Sequence, residues 1–460
     1  MINAAIERCA GIDVGKKFLS VTIMIGPLAG EPRVEKRRFG TIRAELIRLR
    51  EWLQKEGITH VVMESTGSYW KPVWNELEEA VRVYIANPIE VKIRKGHKTD
   101  DKDGWWLAHL LRHAMIHPSF IPSRAVRDLR DLTRYRKKLV GNGTAEKNRV
   151  HKILEDANVK LGDVLEDIFG VSGQLMLDAL LKGEESPRKI AQHAQRRAKS
   201  KIPEIVKSLE GHQMSDHHRR MINHHLEHMK MLEEQIAKLD REIEEQIKKA
   251  GMEEQWEMIQ SVPGVQQTSA AAILAEIGPD MTVFPDKGHI SSWAGVCPGN
   301  NQSAGKSKGA QTRKGNKFVK AALTECAWGA ARKKGCFLKD KYWKVKTKSK
   351  GKDGPAIVAV AHTLLILVYH VLASGVAYCE RGLPIDERQK ERAINHHLRR
   401  LGKLGVDVGF RSVPKGASGP QVPRVLCAKP EPKTAKKRAR KPSSIKATTK
   451  RKTRSSSESR

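Results

Sequence analysis

Hydrophobic and polar positions divide the chain into stretches of different texture. Up to about Pro122, short apolar runs ("GIDVG", "LSVTIMI", "THVVME", "RVYIAN") alternate with helix-like stretches ("TIRAELIRLREWLQ", "KPVWNELEEA"). That alternation predicts an α/β domain over residues 1–122. The first two runs are joined only by "GKK", too short for a crossover helix, so they predict an antiparallel hairpin. Over 123–255 strand signals vanish and charged helical text takes over. There Met229, Leu232, Ile236, Leu239, Ile243 and Ile247 recur at alternating steps of three and four, a short coiled-coil seam that predicts helix pairing within or between chains. Residues 256–382, with small-residue helices and glycine loops, read as a mainly helical third domain. Residues 383–460 read as a basic tail, largely disordered, because its end lacks apolar periodicity. One run, "AIVAVAHTLLILVYHVLAS" at 356–374, is nearly long enough to cross a bilayer; two histidines in a very basic chain favour a buried helix and no membrane.

Charge narrows the partners. The formal net charge is +33, from 85 Lys and Arg against 52 Asp and Glu. Residues 428–460 carry +11 of it, which leaves +22 for the body. Such an excess calls for a polyanion, and nucleic acid is the first candidate. Six cysteines without a C-x-x-C pair, and no signal-peptide pattern at the start, point to a reduced cytoplasmic protein without structural zinc, nucleoid-associated if DNA is the partner.

Against this basic background, a few acids stand at strand ends. Asp13 follows the apolar start of "GIDVG", and Glu64 is the first polar residue after the strand-like "HVVM". Both would lie at carboxyl ends of strands, where open α/β sheets gather ligands. "KTDDKDGWW" opens a helix with Thr99 as N-cap; Asp100 and Asp103 are three apart and share a face, while Asp101 points elsewhere. Each acid alone has a plain structural reading, as a turn residue or a complement to a helix dipole. Together they could hold divalent cations, most simply a pair of Mg²⁺ ions bridging a phosphodiester. "GIDVG" also looks like the first phosphate loop of actin-like sugar kinases, but a second such loop is missing.

In the third region, "SVPGVQQTSAAAILAEIG" reads as a helix-hairpin-helix-like element with Gln266 where a second glycine often stands. It is followed by "CPGNNQSAGKSKGAQTRKGNK", in which Ser303 lies among Lys306, Lys308, Arg313, Lys314 and Lys317. The cations suit phosphate binding, but the loop supplies no general base for a serine nucleophile. Weaker signals are the histidine cluster, where His224 and His228 have metal-ligand spacing, and Trp70, Trp74, Trp105 and Trp106, which read as packing residues.

Over roughly 9–375, the texts "GIDVGKK", "MESTGSYW", "KTDDKDGWWLAHLL", "SSWAGVCPGNNQSAGK" and "TRKGNK" make the chain resemble the DEDD-type transposases of bacterial insertion sequences. In detail it is similar to the branch with subterminal inverted repeats. The resemblance implies an RNase H-like (RuvC-like) amino-terminal domain and a helical transposase domain. It also implies an acidic tetrad of Asp13, Glu64, Asp100 and Asp103 holding Mg²⁺, and a nucleophilic Ser303 that becomes covalently joined to DNA. Donor and target DNA, an element-encoded bridge RNA and a homo-oligomer, dimer or tetramer, are the partners it implies. Gly104 departs from the family's usual Ala, and the long basic tail is outside its core pattern. Two rivals remain: a RuvC-like, metal-dependent junction endonuclease without a covalent serine, and a non-catalytic nucleic-acid organiser.

Overall fold

The structure is a computed structural model that describes residues 4–65, 67–87, 91, 100–299, 302–303, 306–307, 311–380 and 387–405. It forms two compact units, Met1–Gly382 and Leu383–Arg460.

The first unit opens with a five-stranded mixed sheet made of β1 (Arg8–Val14), β2 (Phe18–Ile25), β3 (Arg33–Gly40), β4 (His60–Glu64) and β5 (Arg82–Ala86), in the order β3-β2-β1-β4-β5. β1 and β2 are the expected hairpin, in a register that sets Asp13 opposite Ser20. β4 runs parallel to β1, and β5 parallel to β4. β3 has no hydrophobic signal, because "RVEKRRFG" carries five charges and buries only Phe39. It is an edge strand, where charged side chains discourage pairing with another chain.

Side chains alternate across the sheet, so each face has its own core. Ile12, Val21, Ile23, Val61 and Met63 pack beneath α1 (Arg43–Lys55) and α2 (Trp70–Leu77). Cys9, Met24, Val62 and Ala86 meet Leu107, Ala108 and Leu111 of α3 (Asp100–Arg112) on the other face.

Two long helices, α4 (Arg124–Asp156) and, further along the chain, Asp216–Lys249, form an antiparallel pair. Gln246 donates to the Ala125 carbonyl near one end, and His218 meets Asp156 near the other. The predicted seam is real: Leu232, Leu239, Ile243 and Ile247 are buried, Ile236 packs beside them, and Leu139, Val126 and Leu129 of α4 lie among them. Its partner is therefore a helix of the same chain, which removes the seam as an argument for pairing between protomers. Between the two long helices a small cluster folds on its own core, from α5 (Leu161–Val164), α6 (Val171–Leu181), α7 (Pro187–Ala191), a 3₁₀ turn (Arg196–Lys201) and α8 (Ile202–Leu209). The second long helix is α9.

The rest of the unit is mainly helical, with one short hairpin: its helices are α10 (Glu253–Gln260), α11 (Gln267–Ile277), α12 (Lys287–Trp293), α13 (Lys317–Arg332), α14 (Phe337–Lys348) and α15 (Asp353–Ser374). By length and composition α15 could cross a membrane. Here it is a core helix, with Ile357, Val360, Leu364, Leu365 and Val368 buried in one cluster with α11 and α13. In the second unit, α16 (Glu387–Lys403) is helical within the region read as a disordered tail; 406–460 lies outside the described residues.

Candidate active site

The sheet carries its acids to one end and one face. The β1/β4 register pairs Ile12 with Met63, and continuing it by one residue sets Asp13 beside Glu64 at the strands' carboxyl ends. Ile12 and Met63 point into the α1/α2 core, so the next residues turn to the α3 face. α3 crosses that face at very close range. A Cβ on Gly11 would lie 2.2 Å from the Gly104 carbonyl oxygen and 2.3 Å from the Ala108 nitrogen, so only glycine admits the helix there. A Cβ on Gly104 would come to 3.0 Å from the Ser20 oxygen and 3.4 Å from the Gly11 oxygen. The residue that departs from the family pattern thus lets the first turn of α3 settle against the strand pair that carries Asp13.

Asp103 immediately precedes Gly104 and is half-buried, like Asp13 and Glu64. Asp100 is the first residue of α3, one turn ahead on the same helix face; its side chain and that of Asp101 lie outside the described residues. Among the described residues, no three His, Cys, Asp or Glu side chains gather closely enough to hold a metal. The donor set nonetheless suits a hard cation, being carboxylate oxygens only.

Ser303 sits far along the chain in a small hairpin. Pro298 bridges Thr312, the Gly299 N–H donates to the Gln311 carbonyl at 2.9 Å, and β6 (Gln302–Ser303) pairs with β7 (Lys306–Ser307), Ser303 opposite Lys306. The side chains of Ser303 and Lys306, and all of Lys308, lie outside the described residues. At the base, Gly295 (φ +69°) faces Gly315 backbone to backbone; a Cβ on Gly315 would lie 2.3 Å from the Gly295 nitrogen. This contact accounts for the glycines of "WAG" and "RKGNK". Arg313, Lys314 and Lys317 are exposed beside the hairpin. Burial raises the pKa of the Cys297 thiol, with Arg313 acting the other way, which disfavours the thiolate there.

A buried polar network beneath the hairpin was not read from the sequence. Asn316 caps α13 by accepting from the Phe318 and Val319 N–H groups, and its amide donates to Glu276 Oε2 at 2.6 Å. Glu276 is 2% exposed and also takes Arg134 in a two-pronged pair at 2.7 and 2.9 Å, with Arg130 at 3.4 Å. Burial lowers the Arg130 pKa to about 10, against the raising effect of Glu276. The available signal was a lone acid among small apolar residues in "AAILAEIG". Arg130 and Arg134 belong to α4, which also grips the sheet domain: Arg127 donates to Glu78 and Asn75, and Lys71 pairs with Asp131. α4 thus carries polar bonds to both halves.

The segment read as helix-hairpin-helix-like consists of α10, a Pro-Gly turn and α11. The Pro-Gly turn before α11 lies on α13, where a Cβ on Gly264 (φ +87°) would be 2.4 Å from the Cys326 oxygen. The histidine cluster also has partners: His225 and His228 reach Glu146 at 2.7 and 3.1 Å, and His218 reaches Asp156 at 3.1 Å.

Two transposase family models match the chain in order. The DEDD transposase model of IS110 elements covers residues 10–159, taking in β1, β4 and α3 with all four acids. The model of the transposase IS116/IS110/IS902 family covers 256–342, taking in the serine hairpin. The chain belongs to the IS110 family of insertion-sequence transposases. No curated protein matches it. Among solved structures, similarity is found to Thermus thermophilus RuvC, at 17% identity over 24% of this chain and 99% of that one, TM-score 0.20. It is also found to T. thermophilus RuvC in complex with a Holliday junction substrate, at 17% identity over 25% and 100%, TM-score 0.20. As an IS110-family member the protein is an enzyme of DNA transposition.

Proposed function

We propose that this transposase exchanges DNA strands through Ser303, assisted by Mg²⁺ held by Asp13, Glu64, Asp100 and Asp103. The observation that supports the reading is that Asp13, Glu64 and the first turn of α3 share one face towards one end of the sheet. The same β3-β2-β1-β4-β5 order supports an RNase H-like reading of residues 1–122. Residues 123–255 then serve as helical linker, 256–382 as the serine-bearing domain and 383–460 as a basic tail. When bound, the metal would stabilise charge on the attacking and leaving oxygens.

The chain's own residues supply the rest. Ser303 Oγ attacks a backbone phosphorus and gives up its proton, one P–O ester bond breaks, and the departing DNA hydroxyl takes up a proton. One phosphodiester replaces another, so the bond energy is kept for rejoining. Lys306, Lys308, Arg313, Lys314 and Lys317 supply cations around that phosphate, while the Gly295–Gly315 contact and the Asn316–Glu276–Arg134 network hold the hairpin's base. Donor and target DNA, an element-encoded bridge RNA and a dimeric or tetrameric assembly follow from the family resemblance.

The test pairs binding with activity. Asp13→Asn and Glu64→Gln are expected to weaken Mn²⁺ binding, read by electron paramagnetic resonance, by at least about tenfold, and to abolish element joining. Metal binding equal to wild type in both would remove the carboxylate role.

A further inference from the structure

The cluster between the long helices lies outside both family matches, which end at 159 and resume at 256. It has its own core, with Met176, Leu180, Ile190, Ile205 and Leu209 buried. Its charge is sharply segregated. From 161 to 185 the chain has six acids against one Lys182. From 186 to 203 it has no acid and six cations. Lys189 pairs with Glu184, and Lys201 donates to the Val164 carbonyl. Arg188, Arg196, Arg197 and Lys199 remain exposed, with no carboxylate partner among the described residues.

Arg196 and Lys199 border a polar surface cleft whose lining also includes Gln192, His193 and Gln195. Arg196 adopts φ +51°, sparsely populated for a non-glycine residue. The preceding residue is clamped to the start of α6, the Gln195 N–H donating to Ser172 Oγ at 2.9 Å and that hydroxyl to the Gln195 carbonyl at 3.4 Å. The cations are therefore displayed from a fixed backbone. Exposed amides and guanidinium groups without an apolar anchor suit phosphates, which position a duplex without reading its sequence.

We propose that this face binds the backbone of duplex DNA flanking the site of strand exchange. The inference rests on the DNA-transposition reading above. α4 has 33 residues and α9 has 34, so the pair spans about 50 Å. The α4 end that joins the sheet domain to α11 lies at one extreme and the basic cluster at the other. A straight duplex covers that span in about 15 base pairs at ~3.4 Å each. The long helices thus act as a strut that carries a phosphate clamp along the flank.

The test uses full-length protein and a 30-base-pair duplex of arbitrary sequence, with binding followed by fluorescence anisotropy across a NaCl series. In Arg188→Gln/Arg196→Gln/Arg197→Gln/Lys199→Gln, the slope of log affinity against log salt is expected to fall by about 3–4, near 0.9 for each lost phosphate contact. Neutralising acids of the preceding segment by Asp163→Asn/Glu166→Gln/Asp167→Asn should leave the slope unreduced, and matched melting curves would confirm that both variants fold. An unchanged slope in the quadruple variant, with wild type binding normally, overturns this proposal alone. A loss confined to a structured RNA hairpin of equal charge overturns it in favour of RNA. Wild-type protein that binds no duplex at all overturns the DNA reading beneath it.

Discussion

At the residue scale, two glycines decide where the acids can be. Gly11 lets α3 touch β1 backbone to backbone, and a methyl there would stand 2.2 Å from a carbonyl oxygen. Gly11→Ala is therefore expected to cost about 3 kcal/mol, at the upper end of overpacking, and to lower the melting temperature by several degrees. The Gly104→Ala clash is milder, at 3.0 Å and beyond, and its cost should be clearly smaller. Equal melting curves for wild type and Gly11→Ala would contradict the close crossing. In the sequence Gly104 is only a departure from the family's usual Ala; the close approach of Ser20 and Gly11 of the sheet is a long-range contact.

Elements show how the serine hairpin is held to the rest. Glu276 ties α11 to two arginines of α4 and to the cap of α13. Glu276→Gln leaves two guanidinium groups facing a neutral amide, and a loss of about 3–5 kcal/mol is expected in thermal or denaturant unfolding. Adding Arg134→Met should recover part of it, whereas a single variant as stable as wild type would remove the network's structural role.

In the long helix pair, Glu146 is buried against the histidines of α9. Burial raises its pKa, but hydrogen bonds from His225 and Arg149 outweigh this and hold it below the ordinary 4.5. The sign follows: a carboxylate with a depressed folded pKa stabilises the protein above its unfolded pKa, and that contribution is lost as pH falls through the folded value. Wild type should therefore melt above Glu146→Gln at neutral pH, with the gap closing below about pH 4.5. A gap that stays constant down to pH 3 would contradict the pairing.

For the whole molecule, the parts legible in the sequence were those with local periodicity. The hairpin of β1 and β2, the ends of β1 and β4, the heptad seam and the buried α15 all follow from patterns within a few residues or turns. What was not legible depends on distant partners: β3, whose charges mark an edge; the choice of α4 as the seam's partner; and the Glu276 network, whose bonded members are separated by up to 146 positions. The acids and Ser303 stand on separate elements, and the two halves that carry them are joined by polar bonds through α4 and by Phe120 packing on Phe284 and Trp293.

The most direct test of this account is a denaturation-resistant protein–DNA adduct. Purified protein is incubated with Mg²⁺, element-end DNA and RNA transcribed from the element's flank, and wild type is compared with Ser303→Ala and Asp13→Asn. An adduct in wild type that is absent from both variants is the predicted result. DNA cutting that persists in Ser303→Ala, with no adduct in any sample, would contradict the serine mechanism and leave a hydrolytic nuclease in its place.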